Sequence, residues 1–307
     1  MIEPLRSRVE AELSLPAPEA VIRLAATLAH PARDAAILYY GSTLRTGDLS
    51  GILDFYRLTR RPHRKGLRGL VERALWPEVS YQELIVDGTL LRAKVATLPL
   101  LQFHRAAQGR TLDTTIWARF VQPTQRVWSA DSDSAAAATD ACVAAVTTAA
   151  RYAAALGPQR GVAADYWSAL FRRTYAAEFR VEAVGRADIV MAAGADRYEA
   201  LLPLAWQAGH IGFEEEQGVL SPVKQGLPGW RLVSLAGKPL NIARLAKAAF
   251  TFDGAARYAA WKIQRHTGIE IPVSAFAERH PLLAAPGAWW RLSRRQAKAR
   301  RERLSSP

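Results

Sequence analysis

Gly41-Ser42 and Asp54, with eleven residues between Ser42 and Asp54, are residues whose types and spacing could do chemistry. The glycine–serine pair follows the apolar run AILYY, and the aspartate lies inside a second apolar run, GILDFYRL. A glycine–serine turn exposes backbone N–H groups and a hydroxyl to a phosphate, and glycine lets the backbone approach closely. A carboxylate inside a strand is costly unless something compensates it. A magnesium ion bridging a bound triphosphate would do so. The alternative is a plain strand-end turn, with the aspartate paired to a nearby arginine.

The elements that must carry these residues are legible. Pro16-Ala17-Pro18-Glu19 opens a helix through AVIRLAATLAH, ended by Pro31. Strand-like runs follow at Ala35 to Tyr40 and Gly51 to Leu58, then a basic segment that turns helical from about Lys65. YQELIV, Asp87-Gly88 and TLLRAKVAT predict a β-hairpin. Beyond Val127, Asp131 to Asp133 can cap an alanine-rich helix that Gly157-Pro158 stops. Helical periodicity continues from about Ala163 to Val184 and from Asp196 to Ala208, and returns in NIARLAKAAF. The intervening HIGFEEEQGVLSPVKQGLPGW reads as a long loop. The expected class is α+β: a unit over residues 1–130 with a small mixed sheet, then a mainly helical unit over 131–307.

The spacing of the turn and the aspartate resembles the signature of the polymerase-β-like nucleotidyltransferase fold. Many members of that superfamily carry a second acid two residues after the first, where this chain has Tyr56. That departure makes the chain similar to a narrower family, the mitochondrial-type CDP-diacylglycerol synthases of the translocator-assembly-and-maintenance group. Tyr40-Gly41-Ser42 and Asp54-Phe55 stand in the places of that family's turn and lone acid. Gly88 to Arg92 resembles its hairpin return strand, and Trp117 to Pro123 (WARFVQP) a following block. Tyr175 to Arg180 (YAAEFR) and Ile242 to Thr251 (IARLAKAAFT) resemble two later ones. The family's Trp-His and His-Tyr-Ser segments have no clear counterpart, and its later acidic pair falls near Phe103-His104.

The resemblance implies magnesium-dependent cytidylyl transfer, in which phosphatidate attacks the α-phosphorus of CTP and releases pyrophosphate. Asp54 would hold Mg²⁺, while Tyr40, Gly41 and Ser42 position the triphosphate. Arg92, Arg119, Arg180 and Lys247 would neutralise phosphate charge, the main task in phosphoryl transfer. Lys94 shares a strand face with Arg92, and Glu178 would be a second metal ligand or an arginine's partner. The competing readings are a solvated strand edge for Arg92 and Lys94, ion pairs for Arg119, Glu178 and Arg180, and a helix surface for Lys247. A nucleotidyltransferase with another acceptor, such as RNA or a small molecule, and a non-catalytic nucleotide or anionic-lipid binder are the alternative functions.

Composition narrows the partners. A net charge of +13 favours polyanions. The segment Arg291 to Arg303 holds seven basic residues against one acid and follows Trp289-Trp290, which suits an anionic membrane interface or a solvated terminal helix. No spaced aromatic pattern points to nucleic acid. A single cysteine, Cys142, excludes an intrachain disulfide framework, and the six dispersed histidines form no zinc motif. The most apolar stretch, Ser134 to Leu156, is broken by Asp140 and Arg151, short of the roughly 20 residues needed to span a bilayer. With no secretory signal pattern at the start, the expected location is cytoplasmic, peripheral on the inner face of the cell membrane.

Overall fold

The structure, a computed structural model, describes residues 2–61, 66–177, 186–224, 226–227, 229–268, 270 and 272–279. Two helices, α1 (Glu3–Leu13) and α2 (Glu19–Leu28), precede strand β1 (Asp34–Tyr40). There follow α3 (Ser42–Thr46), β2 (Ile52–Thr59), α4 (Gly66–Ala74), β3 (Glu78–Val86), β4 (Thr89–Pro99), α5 (Leu100–Ala107), α6 (Thr115–Phe120) and β5 (Thr124–Ser129). The five strands form one mixed sheet in the order β3-β4-β2-β1-β5. Only β2 and β4 run parallel, because α4 and β3 carry the chain back before β4 begins. The molecule is α+β, as its sequence pattern indicates.

Apolar alternation explains how the sheet is covered. Ile37, Tyr39, Leu53 and Phe55 face α2, where Val21, Leu24 and Leu28 are buried. Burying those three aliphatic side chains contributes about 5–9 kcal/mol as an upper bound. Ala36, Leu38, Tyr56 and Leu58 face the opposite core, which takes in α1, α5 and α6. Helix α1 is not evident in the sequence, since Leu5, Val9 and Leu13 recur at only every fourth position among charges. Tertiary contacts hold it: Arg126 of β5 donates to Glu10 at 2.6 Å, and Arg197 donates to Glu12 at 2.8 Å.

The long helix α7 (Ser132–Leu156) begins where Asp131 accepts a hydrogen bond from the Ser134 backbone N–H at 2.7 Å. Its alanines let α1, α5 and α6 pack closely, together with α8 (Ala163–Ala177). After α9 (Arg186–Ala192), helix α10 (Ala195–Ala208) joins the same cluster through Leu201, Leu202 and Trp206, so buried residues from both sides of position 130 share one core. The stretch expected as a long loop instead contains a hairpin, β6 (Phe213–Glu216) and β7 (Val219–Pro222). Gln217 and Gly218 close it at φ 51° and 78°, the left-handed pair a two-residue turn demands. Four-residue strands, one of them three-quarters glutamate, carry too little apolar alternation to be read in advance.

The chain ends its described part with α11 (Trp230–Thr251), α12 (Ala255–Thr267) and α13 (Ala275–Arg279). Asp253, between α11 and α12, pairs with the outer edge of β3, where its carbonyl accepts from the Tyr81 N–H at 2.8 Å. Gly254 must follow it: a Cβ there would lie 2.5 Å from the Tyr81 carbonyl oxygen. This contact covers an open sheet edge and lays α11 across the end of the sheet.

Candidate functional site

Strand β1 stops at Tyr40, and the chain turns at Gly41 with φ 98° and ψ −159°, a conformation essentially confined to glycine. Helix α3 starts at the exposed Ser42, whose carbonyl accepts a hydrogen bond from the Thr46 hydroxyl at 3.0 Å. Asp54 stands opposite Tyr40 in the β1–β2 register and opposite Lys94 in the parallel β2–β4 register. A Cβ added to Gly41 would lie 2.8 Å from Asp54 Oδ2, so the carboxylate rests against the glycine backbone. The turn and the aspartate therefore meet. Burial, with a smaller contribution from the nearby charge of Asp54, pushes the Tyr39 phenol up from its ordinary pKa.

Beside this pair opens a cavity of about 370 Å³, lined by Tyr40 and Tyr56, by Lys94 and Arg119, and by Arg244 and Lys247 of α11. Arg119 donates to the Tyr56 hydroxyl at 2.9 Å and lies over the Tyr40 and Tyr56 rings at 5.5 and 5.8 Å. Lys247 donates to the Leu75 carbonyl at 2.8 Å, and burial lowers its pKa from the ordinary lysine value. Arg244 is fixed on three sides. It donates to Asp113 at 2.9 Å and to the Thr115 hydroxyl at 3.4 Å, and its guanidinium lies 4.3 Å from the centre of the Trp76 ring. Asp113 is 4% exposed and the Arg244 side chain 12%, so the ion pair is largely buried.

Of the residues singled out from sequence, Tyr40, Lys94, Arg119 and Lys247 line the cavity, and Gly41 and Asp54 adjoin it through Tyr40 and Lys94. Arg92 lies two residues before Lys94 in β4 and does not line the cavity. There it sits 3.4 Å from Glu83 and over the Trp261 ring at 5.8 Å. Glu178 and Arg180 lie outside the described residues, as do Trp289, Trp290 and the basic segment after them. Sequence reasoning missed Arg244, Tyr56, Trp76 and Asp113. Arg244 could have been found, since it precedes Lys247 by three positions on one helix and so shares its face.

Among the described residues no group of three histidine, cysteine or acidic side chains could hold a metal ion. Asp54 offers one carboxylate, and its strand neighbours are a tyrosine and a lysine. That set does not make a resident metal site. It fits a magnesium ion arriving on a triphosphate, which takes one or two carboxylates from a protein and its other ligands from phosphate and water. Four cations around aromatic walls suit an anionic ligand with a planar group. No protein-family model matches the chain, and no curated protein matches it in sequence.

Proposed function

We propose that this protein is a phosphatidate cytidylyltransferase, acting on the magnesium complex of CTP at the cavity beside Asp54. On this reading the mixed sheet is a polymerase-β-like nucleotidyltransferase domain, and the protein works at an anionic membrane surface. The observation that carries the proposal is the convergence of Lys94, Arg119, Arg244 and Lys247, from three separate elements, on one small cavity adjoining Gly41 and Asp54.

In the proposed reaction a phosphate oxygen of phosphatidate bonds to the α-phosphorus of CTP. The bond from that phosphorus to the bridging oxygen breaks, and pyrophosphate leaves with the electron pair. The nucleophile is already an anion, so no side chain has to remove a proton. Magnesium bound to the triphosphate supplies neutralisation of phosphate charge, and Asp54 would hold it. Gly41, lacking a side chain, lets the phosphates approach the backbone. Lys94, Arg119 and Lys247 would face the charge that builds on the transferred and leaving phosphates. Arg244 is held by Asp113 and Trp76 before any ligand arrives, which reduces the ordering cost of binding. The tyrosines and Trp76 would pack against the base and ribose.

The test is direct. The purified chain, given CTP, phosphatidate in detergent micelles and magnesium, should release pyrophosphate and CDP-diacylglycerol in equal amounts, and Asp54→Ala should stop both. No product from the wild-type chain, or full turnover by Asp54→Ala, refutes the proposal. One observation favours a second reading: Lys94 occupies the register position beside Asp54 where a second acid would help hold a metal. A non-catalytic nucleotide binder would then show a melting temperature raised by CTP and magnesium with no product formed.

A further inference from the structure

Helix α11 presents its inner face to the cavity through Arg244, Lys247 and Thr251. Its outer face departs from what a water-facing helix should be, namely polar. Leu232, Leu235, Ile242 and Leu245 fall on one stripe and are 63%, 73%, 56% and 59% exposed. The charged residues interspersed on the same stripe are Arg231 and Lys238, both exposed, and α11 contains no acidic residue at all. Leu245 belongs to both faces: it is exposed on the stripe and also lines the cavity.

We infer that this outer face of α11 is a docking surface for an anionic lipid bilayer, lying in the interface rather than crossing it. Apolar side chains interspersed with lysine and arginine are the composition of an interfacial helix. No helix among the described residues is long and apolar enough to cross a membrane. Charge selects this occupant over others. A second copy of the chain would bring Arg231 and Lys238 against like charges, within molecules that each carry +13. In the chain's own 280–307 segment the basic run Arg291 to Arg303 is likewise mismatched to Arg231 and Lys238, and only the shorter uncharged run Pro281 to Trp290 is apolar. An anionic headgroup layer matches both the cations and the apolar side chains.

This surface is independent of any reaction. Its consequence for the site rests on the cytidylyl-transfer reading. With α11 on the bilayer, Leu245 joins the docked face to the cavity wall, so phosphatidate would reach the cations with its acyl chains still in the membrane.

The experiment is co-sedimentation of the full chain with vesicles of phosphatidylcholine, with and without phosphatidylglycerol, in the absence of nucleotide. The wild type should bind the anionic vesicles, more weakly at high salt. The double variant Leu235→Glu, Ile242→Glu should lose binding by about a hundredfold, as two large aliphatic contacts become charges. Both positions are exposed and neither lines the cavity, so the variant should melt like the wild type and keep its activity on a short-chain, water-soluble phosphatidate. Unchanged vesicle binding by the double variant overturns the inference. So does an altered oligomeric state at unchanged vesicle binding, or loss of binding on removing residues 280–307 alone. Vesicle binding that follows α11 while no cytidylyl transfer occurs supports the surface and refutes only the reaction.

Discussion

Replacing Gly41 with alanine separates backbone strain from contact with Asp54. At φ 98° and ψ −159° an alanine costs about 1–3 kcal/mol in backbone strain. Its Cβ would also stand 2.8 Å from Asp54 Oδ2 and 3.3 Å from Asp54 Cβ. The oxygen can swing away, but the Cβ contact requires β1 and β2 to shift, because Tyr40 and Asp54 are register partners. Gly47 provides the control. It has φ 71° with nothing within 4 Å of an added Cβ, so Gly47→Ala costs only the left-handed strain of about 1–2 kcal/mol. Denaturant unfolding of the two variants, with CTP–magnesium binding followed by calorimetry, gives the comparison. Gly41→Ala should be the less stable and should lose nucleotide affinity, whereas Gly47→Ala should bind as the wild type does. Equal stability of the two variants, with unchanged binding in both, would refute the placement of Asp54 against the turn.

Three further outcomes are expected. Asp113→Ala leaves the buried Arg244 guanidinium without its carboxylate and should cost about 3–5 kcal/mol in chemical denaturation; a loss below 1 kcal/mol would show that the pair is not buried as described. Lys247→Met should weaken CTP binding roughly 10- to 100-fold, the worth of one charge-assisted hydrogen bond. Because burial lowers the Lys247 pKa, wild-type affinity should also decline with rising pH earlier than for a free lysine, and the methionine variant should lack that decline. Glu10 is held at about 2, mainly by its hydrogen bonds to Arg126 and also by Thr139. Its pKa is depressed on folding, so its stabilisation is present above the unfolded value near 4.5 and is lost as pH falls toward 2. Thermal melts over that window should slope less for Glu10→Gln, and identical slopes would remove Glu10 from the acid response.

Local pattern made much of this molecule readable. The alternation in ILYY, GILDFYRL and the Asp-Gly hairpin placed four of the five sheet strands, because each buries one or both faces against an apolar layer. Asp131 and Gly157 marked the ends of α7 through capping chemistry that depends only on neighbouring residues. What was hidden depends on distant partners. Helix α1 is fixed by Arg126 and Arg197, and the β6–β7 hairpin by a two-residue turn between strands too short to show a pattern. The same holds at the site. Asp54 beside Gly41 was legible because one turn joins them. Arg244 and Asp113 lie 131 positions apart and meet through tertiary packing of α11, which Asp253 helps tie to the edge of β3 and which also rests on α8. Lys247 reads as a surface lysine from helix periodicity alone, and becomes a cavity residue once that edge is covered.

The most direct measurement follows both products of the proposed reaction with one substituted residue. Wild type and Asp54→Asn should be compared with CTP, phosphatidate micelles and magnesium, and pyrophosphate and CDP-diacylglycerol quantified together. Asn keeps the size of the side chain and removes its charge, so the fold should persist, as checked by an unchanged melt. Equal amounts of both products from the wild type, and neither from Asp54→Asn, is the expected result. Equal turnover by the two proteins, or no turnover by the wild type, would contradict the assignment of cytidylyl transfer to this site.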